Sequence, residues 1–288
     1  MNLFTQAIIS GLMTGAVYAL LAIGLVLTYR TTRLINLAHG ETFAIGGVTA
    51  AALITAGVPM YGALASAVVA ATAFMLVLHR FVLRPRAHWP ISGLILITLG
   101  VAFVVRGLLL LWIGPDMVSF SRLFAGPPIR LLGGALPKQG LFLIALGFGL
   151  AAAVALFLGL TRKGKELLAT AENADASQLL GVNVEAVRLL AYGIAGALGG
   201  ISAVILVPLI SVDFQAGLSM TLRGFIAAAI AGMSPVGAIL AGLGLGLLEG
   251  LVTTYIGALS QDPIVFFALI CLAVWQSRKI RFGGVRRA

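Results

Sequence analysis

The sequence contains little charge, one cysteine and few histidines. Only 10% of its 288 residues are Asp, Glu, Lys or Arg, whereas soluble domains carry about 25%, which excludes an ordinary soluble domain. Cys271 alone supports neither a disulfide framework nor a cysteine metal site. The histidines His39, His79 and His88 do not form a Ser/His/Asp or Cys/His set. We therefore predict that the chain is not an enzyme, has no catalytic residue, and binds no metal or cofactor itself.

Long apolar runs fill the chain instead. Hydrophobic residues make up 60% of it, and the mean hydropathy is +1.10. Because a membrane-spanning helix needs about 20 apolar residues, we predict an all-α polytopic membrane protein, one transmembrane domain over residues 1–288 with about eight or nine helices. The N-terminal stretch lacks the positive region of a signal peptide, so we expect it to remain as the first helix. The apolar segments are 3–28, 34–56, 60–78, 91–113, 141–160, 189–210, 218–259 and 264–275.

The positive charges indicate which side of the membrane each loop faces. The net charge is +10, but aromatic residues do not interleave with Lys and Arg, so we expect no nucleic-acid partner. The positive-inside rule predicts an external N-terminus, a cytoplasmic C-terminus and an external loop at 114–139. The block at 218–259 then either crosses twice, with a tight turn at Ser234 and Pro235, or contains a re-entrant piece. The clusters are Arg30 and Arg33; Arg80, Arg84 and Arg86; Arg162, Lys163, Lys165 and Arg188; and Arg278, Lys279, Arg281, Arg286 and Arg287.

Residues 161–188 form the one long polar run, and we predict a helix, a glycine turn and a second helix there. Gly181 stands where a helix needs a left-handed C-terminal residue, and Asn183 can cap the next helix, with Glu185 in its first turn. The first helix has an apolar stripe, which is typical of a helix lying against the membrane face. The stripe consists of Leu167, Ala171, Ala174 and Gln178.

The segment 159–165, GLTRKGK, nearly matches a phosphate-binding loop. Glu166 stands where that motif needs a hydroxyl for magnesium, and an apolar helix precedes the segment where the motif needs a strand. We therefore expect no nucleotide on this chain. If ATP is used, another chain binds it.

Polar residues and a glycine open the second apolar segment, in the sequence INLAHGE. These residues are Asn36, His39, Gly40 and Glu41. They can break the helix and line a substrate path, since a membrane tolerates irregular backbone only where protein or water satisfies it. Alternatively, they form a capped helix end at the membrane interface, with His39 merely hydrogen-bonded.

Two ionisable residues, Arg106 and Glu249, lie deep in apolar segments. Charges at such depth are costly unless they are paired or face water, so each is a candidate site residue. Alternatively, they neutralise one another or cap local backbone and hold the bundle together.

Glycines repeat at four-residue spacing, which lets helices approach closely. We expect the neighbouring helices to belong to this chain rather than to a partner subunit. The repeats are Gly11 and Gly15; Gly196 and Gly200; and Gly242, Gly246 and Gly250.

With these motifs in view, the chain resembles the permease subunits of branched-chain amino acid (Liv-type) ABC importers, specifically the shorter of their two paralogous permeases. The resemblance rests on residues 11–47, which include the N-x-A-H-G-E signature from Asn36 to Glu41, on ATAENADASQLLGVNVEAVR at 169–188, and on GLGLLEGL around Glu249. One departure is AGMSP at 231–235, which is a glycine short of the family's turn.

The resemblance implies an ATP-driven importer in the prokaryotic inner membrane that carries branched-chain or other hydrophobic amino acids. Its partners would be a second, paralogous permease, two cytoplasmic ATPase subunits that bind ATP and magnesium, and an extracytoplasmic substrate-binding protein. ATPase motion would reach the membrane through the 161–188 loop and drive alternating access. The residues that this role implies are Ala171, Glu172, Asn173, Ala174, Leu180, Gly181 and Asn183.

The sequence is compatible with a different substrate and with a different class of transporter. Related permeases carry urea or short amides, and the sequence does not separate these from leucine-like substrates. In a secondary transporter or channel, Glu41, Arg106 and Glu249 would carry protons or ions. The mark of such a transporter, an inverted internal repeat with paired broken helices, is not evident in the sequence.

Overall fold

The computed structural model describes residues 2–257 together with Pro263, Phe266 and Phe267. Six helices within these residues are long and apolar enough to cross a membrane. The predicted all-α polytopic architecture is therefore confirmed. Of the predicted span at 264–275, only Phe266 and Phe267 are described, and Cys271 and the C-terminal basic cluster lie outside the described residues. The predicted helix number and the sidedness of the two termini stay predictions.

Ten α-helices and one β-hairpin follow each other along the described chain. A π-helical turn at Leu78–Leu83 and a 3₁₀ turn at Arg84–Arg86 extend the third helix. The helices are α1 (Leu3–Thr32), α2 (Glu41–Thr55), α3 (Met60–Val77), α4 (Ile91–Ile113), α5 (Lys138–Leu160), α6 (Arg162–Glu172), α7 (Ala174–Leu179), α8 (Val184–Leu206), α9 (Ala216–Ile230) and α10 (Pro235–Tyr255), and the hairpin strands are β1 (Ile129–Leu131) and β2 (Gly134–Leu136).

Side-chain caps fix where several helices begin. The Asn183 side chain accepts a hydrogen bond from the Ala186 N–H at 3.0 Å, which confirms the predicted cap of α8. Ser234 caps α10 in the same way through the Gly237 N–H, and Pro235 occupies the first turn, where no N–H partner is needed. The predicted turn between the two halves of the 218–259 block is thus present.

Two three-helix units share one pattern. In each, a long helix is followed by a non-helical stretch, a 15-residue helix, a short turn and another long helix. The units are α1–α2–α3 and α8–α9–α10, and the non-helical stretches are residues 33–40 and 207–215. A 15-residue helix extends only about 22 Å, less than the roughly 30 Å of a bilayer core. Neither short helix is therefore long enough to cross the bilayer core by itself.

The long helices of the two units pack against each other in antiparallel pairs. In α1 and α10, Gly11 lies against Gly246 and Leu247, while Gly15 lies against Gly242 and Leu243. An added Cβ would meet backbone atoms at these positions, so the glycines permit the close approach.

The pairing of α8 with α3 has the same antiparallel sense. Gly196 lies against Thr72, and Gly200 against Val68. The glycine repeats thus serve packing within the chain, as predicted.

The two units run in opposite directions. The Arg188 Nε in α8 donates a hydrogen bond to the Thr31 carbonyl at 3.1 Å, and further along α8 Ala195 lies beside Gly24 of α1. Because α1 and α8 are antiparallel, the structure contains the inverted repeat that was not evident in the sequence. The repeat is not evident in the sequence because it is preserved in helix lengths and packing rather than in residue identity.

The turns that end α2 and α9 are equivalent. In α2, Gly57 has φ +84° and the Val58 N–H returns to the Leu53 carbonyl at 3.0 Å. In α9, Gly232 has φ +59° and the Met233 N–H returns to the Ala228 carbonyl at 2.9 Å. Both are complete Schellman motifs. The turn that lacks one glycine of the family pattern therefore still closes, with Met233 itself at φ 56°.

The loop at 114–139, which the charge pattern predicts to be external, is ordered. It contains the β1–β2 hairpin, and the Val118 and Val212 backbones exchange two hydrogen bonds of 2.8 and 2.9 Å. The Ala135 N–H also donates to Gln6 Oε1 at 2.9 Å, which ties the hairpin to the start of α1. The loop is thereby joined to both α1 and the stretch that leads into α9.

Candidate functional site

The non-helical stretch 33–40 is held inside the protein by its own polar groups. Asn36 and His39 are fully buried. The Asn36 side chain accepts a hydrogen bond from the Ala38 N–H at 3.0 Å, which forms a tight turn. His39 Nε2 donates to the Leu21 carbonyl at 2.9 Å, in the interior of α1. The stretch therefore folds back along α1 into the bundle. The alternative interpretation placed a capped helix end at the membrane interface, and that placement is wrong.

Gly40 is the point at which α2 meets α9. Its N–H donates to Thr221 Oγ1 at 2.8 Å, and a Cβ on Gly40 would collide with the Gly217 carbonyl and the Thr221 backbone. The N-terminal turns of two helices thus meet at backbone distance in the middle of the bundle. We call this meeting of residues 37–42 with residues 215–221 the α2–α9 crossing.

Glu41, the first residue of α2, lies at this crossing and is fully buried. Its Oε1 accepts hydrogen bonds from Arg106 Nε at 2.8 Å and Nη2 at 2.7 Å. No donor in the described part of the chain reaches Oε2, and this oxygen lies against Gly217 in the first turn of α9. The carboxylate is therefore stabilised by a guanidinium and by two helix N-termini.

The second deep carboxylate has a different cation. Glu249 Oε1 accepts a hydrogen bond from Arg223 Nε at 2.8 Å, and its Oε2 accepts one from the Tyr18 hydroxyl at 2.6 Å. Arg106 and Glu249 are thus both paired with an opposite charge, but not with each other, so the interpretation that they neutralise one another is wrong. Pairing needs proximity in the fold, which positions along the chain do not reveal.

A cavity of about 430 Å³ opens beside the crossing. Because α8 begins within the 161–188 loop, the stretch 207–215 that lines this cavity starts at the opposite end of the bundle, which the charge pattern predicts to be extracytoplasmic. Apolar residues form much of the wall, and Asp213, Gln215, Ser219 and Arg223 supply polar groups. The apolar lining residues include Phe43, Met117, Ile210, Leu218 and Met220.

Comparisons with known proteins give the family. A family model described as the permease component of the branched-chain amino acid transport system matches residues 7–274. The chain belongs to this family. It is a transport permease of the inner membrane, with multiple membrane-spanning helices.

Individual relatives agree with this assignment. The high-affinity branched-chain amino acid transport system permease protein LivH of Escherichia coli K12 is 27% identical, over 94% of this chain and 92% of LivH. BraD of Pseudomonas aeruginosa, which has the same description, is 26% identical over 95% and 94% of the two chains. The autoinducer 2 import system permease protein LsrC of E. coli O9:H4 is 25% identical over 74% of this chain and 62% of LsrC.

A solved structure shares the fold. The match is PsaBC from Streptococcus pneumoniae in complex with Fab, with a TM-score of 0.51 and 13% identity. It covers 95% of this chain and 91% of the matched chain. At that identity the likeness concerns the fold alone.

The polar loop of the permease contains an extra break. Asn173 leaves the helical conformation and caps α7 through the Ala176 N–H at 3.0 Å, so α6 and α7 are separate helices. The predicted stripe therefore holds in α6, where Leu167 and Ala171 are buried, but does not continue through the exposed Gln178. Glu172 is also exposed, and Ala174 is half-buried.

The turn after α7 exposes apolar side chains. Leu179 is 90% exposed and Leu180 85% exposed. Gly181 has φ +83°, and the Val182 N–H returns to the Ser177 carbonyl at 3.0 Å, which confirms the predicted glycine turn. Gly181 and Asn183 are exposed as well.

Sequence reasoning missed two ionisable residues inside the bundle, Arg223 and His79, the second of which is only 3% exposed. Like Arg106, Arg223 is a charged residue within an apolar segment, here 218–259. A charge at such a position is a candidate site residue by the same argument.

Proposed function

We propose that this permease is the membrane-spanning subunit of an ATP-driven importer for branched-chain or other hydrophobic amino acids. The observation that carries the proposal is the α2–α9 crossing. There, two short helices close the bundle between a cavity at one end and a helical loop at the other. The family assignment and the similarity to LivH and BraD support the substrate class.

The substrate path runs through the cavity and then between α2 and α9. Paired half-helices that begin at the membrane midplane are common at transporter substrate sites. Gly40 and Gly217 make the contact with little side-chain volume, so a small rigid-body movement of one unit against the other opens it. Asn36, His39 and Glu41 then line the opened path. The inverted repeat supplies the two bodies that move in alternating access.

The 161–188 loop receives the movement from ATPase subunits. Leu179 and Leu180 are large apolar side chains exposed at a turn that the charge pattern predicts to be cytoplasmic. Exposed apolar side chains of this kind mark protein–protein contacts, and both leucines suit an apolar groove on an ATPase subunit. The loop is also tied to the core, since Arg33 Nη2 donates to the Ala171 carbonyl at 2.9 Å and Arg188 Nε to the Thr31 carbonyl. Movement of the loop is thereby transmitted to α1 through both α6 and α8.

The partners in this proposal are a second permease, two ATPase subunits and a binding protein. ATP and magnesium bind to the ATPase subunits. In this chain, the segment 159–165 joins helices α5 and α6, whereas a phosphate-binding loop joins a strand to a helix. The binding protein docks on the hairpin end, where Leu132 is 82% exposed.

Leucine uptake into membrane vesicles tests the proposal. The vesicles contain this permease, its predicted partner subunits and the binding protein, and uptake is compared under ATP supply and under an imposed proton gradient. We expect uptake that requires ATP and the binding protein, is unaffected by the gradient, and is absent when only this chain is present. Uptake that follows the gradient without ATP would refute the proposal, and ATP-driven uptake of urea in place of leucine would refute the substrate class.

A further inference from the structure

A second, smaller cavity adjoins the one beside the crossing. It has a volume of about 310 Å³ and lies between α1, α9 and α10. Both cavities are lined by Ile210, Ser219, Met220 and Arg223, so they adjoin at these residues, and we call the two together the groove. The Arg223 side chain therefore stands between the two chambers.

The Arg223–Glu249 ion pair forms the wall of this groove. The Glu249 side chain is 1% exposed and that of Arg223 12% exposed. Tyr18 contacts both members of the pair. Its hydroxyl donates to Glu249 Oε2 at 2.6 Å, and its ring centroid lies 5.8 Å from the Arg223 guanidinium carbon. Arg223 Nη1 also donates to the Ser219 hydroxyl. The two opposite charges are thus held side by side at fixed positions.

The groove does not suit contact with lipid chains. Hydroxyl groups line it along three helices, and an ion pair facing hydrocarbon is costly. The hydroxyl-bearing residues are Ser10, Thr14, Tyr18, Ser219 and Thr253. The face of the protein that carries the groove therefore borders water or another protein subunit.

We propose that the Arg223–Glu249 pair binds the charged head of the amino acid substrate, with Arg223 contacting its carboxylate and Glu249 its ammonium group. This inference rests on the proposed function and names the substrate-binding residues for it. The ammonium and carboxylate groups of an amino acid are attached to the same carbon, so its two opposite charges lie side by side. Each can face the opposite charge of the Arg223–Glu249 pair.

The apolar part of the substrate has matching walls. Phe43, Ile210, Leu218 and Met220 lie in the larger chamber, next to the ion pair. A leucine-like side chain buries apolar surface there while its head group stays at the pair. Urea and short amides carry no charges for Arg223 and Glu249, so the groove favours amino acids over them.

The Glu41–Arg106 pair provides a contrast within the same protein. Neither residue lines either of the two cavities, whereas Arg223 and Glu249 both line the smaller one. The charges of Glu41 and Arg106 therefore do not face the groove while the crossing is closed. The substrate first meets the charges of Arg223 and Glu249.

Protection of an engineered cysteine tests this assignment in the complete importer. Thr253→Cys is introduced together with Cys271→Ser, because Thr253 is exposed and lines the smaller chamber. The rate of modification by a membrane-impermeant maleimide is measured with leucine, with leucinamide, which lacks the carboxylate, and with 4-methylpentanoate, which lacks the ammonium group. We expect leucine to protect the thiol at concentrations about tenfold or more below those needed for either analogue.

Variants then assign the two charges. Arg223→Gln and Glu249→Gln should each raise the leucine concentration for half-protection by about tenfold or more. Arg86→Gln removes a positive charge that donates to the Val82 carbonyl, away from the groove, and should leave that concentration unchanged. Equal protection by leucine and both analogues, or no protection by leucine, would overturn the inference even if the charge variants fail to fold. Wild-type importer that takes up no leucine with ATP would instead overturn the proposed function.

Discussion

Glu41 Oε1 accepts hydrogen bonds from both Nε and Nη2 of Arg106, at 2.8 and 2.7 Å, in the buried centre of the permease. The two residues belong to different helices, α2 and α4. The pair fixes the start of α2, because Glu41 is its first residue, and it lies against the first turn of α9. It therefore holds the α2–α9 crossing in place.

Removing one member of this pair should cost more than removing both. Arg106→Gln leaves a buried carboxylate without its cation, which we expect to destabilise the protein by about 3 kcal/mol or more. The double variant Glu41→Gln/Arg106→Gln carries no buried charge and should recover much of that loss. Thermal unfolding in detergent would measure both, and a double variant less stable than Arg106→Gln would contradict the account.

A methyl group at Gly40 should force the crossing apart. Gly40→Ala places a Cβ against the Gly217 carbonyl and the Thr221 backbone, which cannot yield as a flexible side chain does. We expect loss of ATP-driven uptake and a destabilisation of roughly 1–3 kcal/mol, as for overpacked cores. The matched control is Gly149→Ala, since an added Cβ there meets no described atom within 4 Å. Equal uptake by the two variants would show that the crossing tolerates extra volume.

These contacts mark the limit of what the sequence could predict. The cap at Asn183, the left-handed Gly181 and the tight glycine packing of α1 follow from local patterns and were predicted correctly. The partners of Arg106 and Glu249 depend on which helices adjoin in space, and a single sequence does not contain that information. The predicted apolar stripe does not continue beyond Asn173. Asparagine favours helix caps over helix interiors, and Asn173 both ends α6 and caps α7.

The exposed leucines of the polar loop should be needed for assembly with the ATPase subunits. Leu179→Asp places a charge in the apolar contact, so we expect the ATPase subunits to be lost on purification. Leu132→Asp is the matched control, because Leu132 is comparably exposed, at 82%, but lies in the hairpin turn. Co-purification of the complex measures both. Retention of the ATPase subunits by Leu179→Asp would place their contact elsewhere.

Gly181 should connect ATP hydrolysis to uptake. Its φ of +83° is strained for a β-branched residue, so Gly181→Val should distort the turn between α7 and α8. Uptake should fall while ATP hydrolysis continues, which lowers the ratio of leucine transported to ATP hydrolysed. Gly181→Asn should keep most of that ratio, since asparagine tolerates the left-handed conformation. Unchanged coupled transport in Gly181→Val would count against the role of this turn.

The central claim is that ATP opens the α2–α9 crossing and that the substrate passes through it. Thr221 is fully buried at the crossing, so Thr221→Cys in a Cys271→Ser background reports on its opening. The measurement is the rate at which a small membrane-impermeant thiol reagent modifies this cysteine in the complete importer. We predict rapid modification during turnover with ATP, binding protein and leucine, and slow modification without ATP. Equally slow modification in both conditions, while leucine uptake is measured in the same vesicles, would contradict the claim.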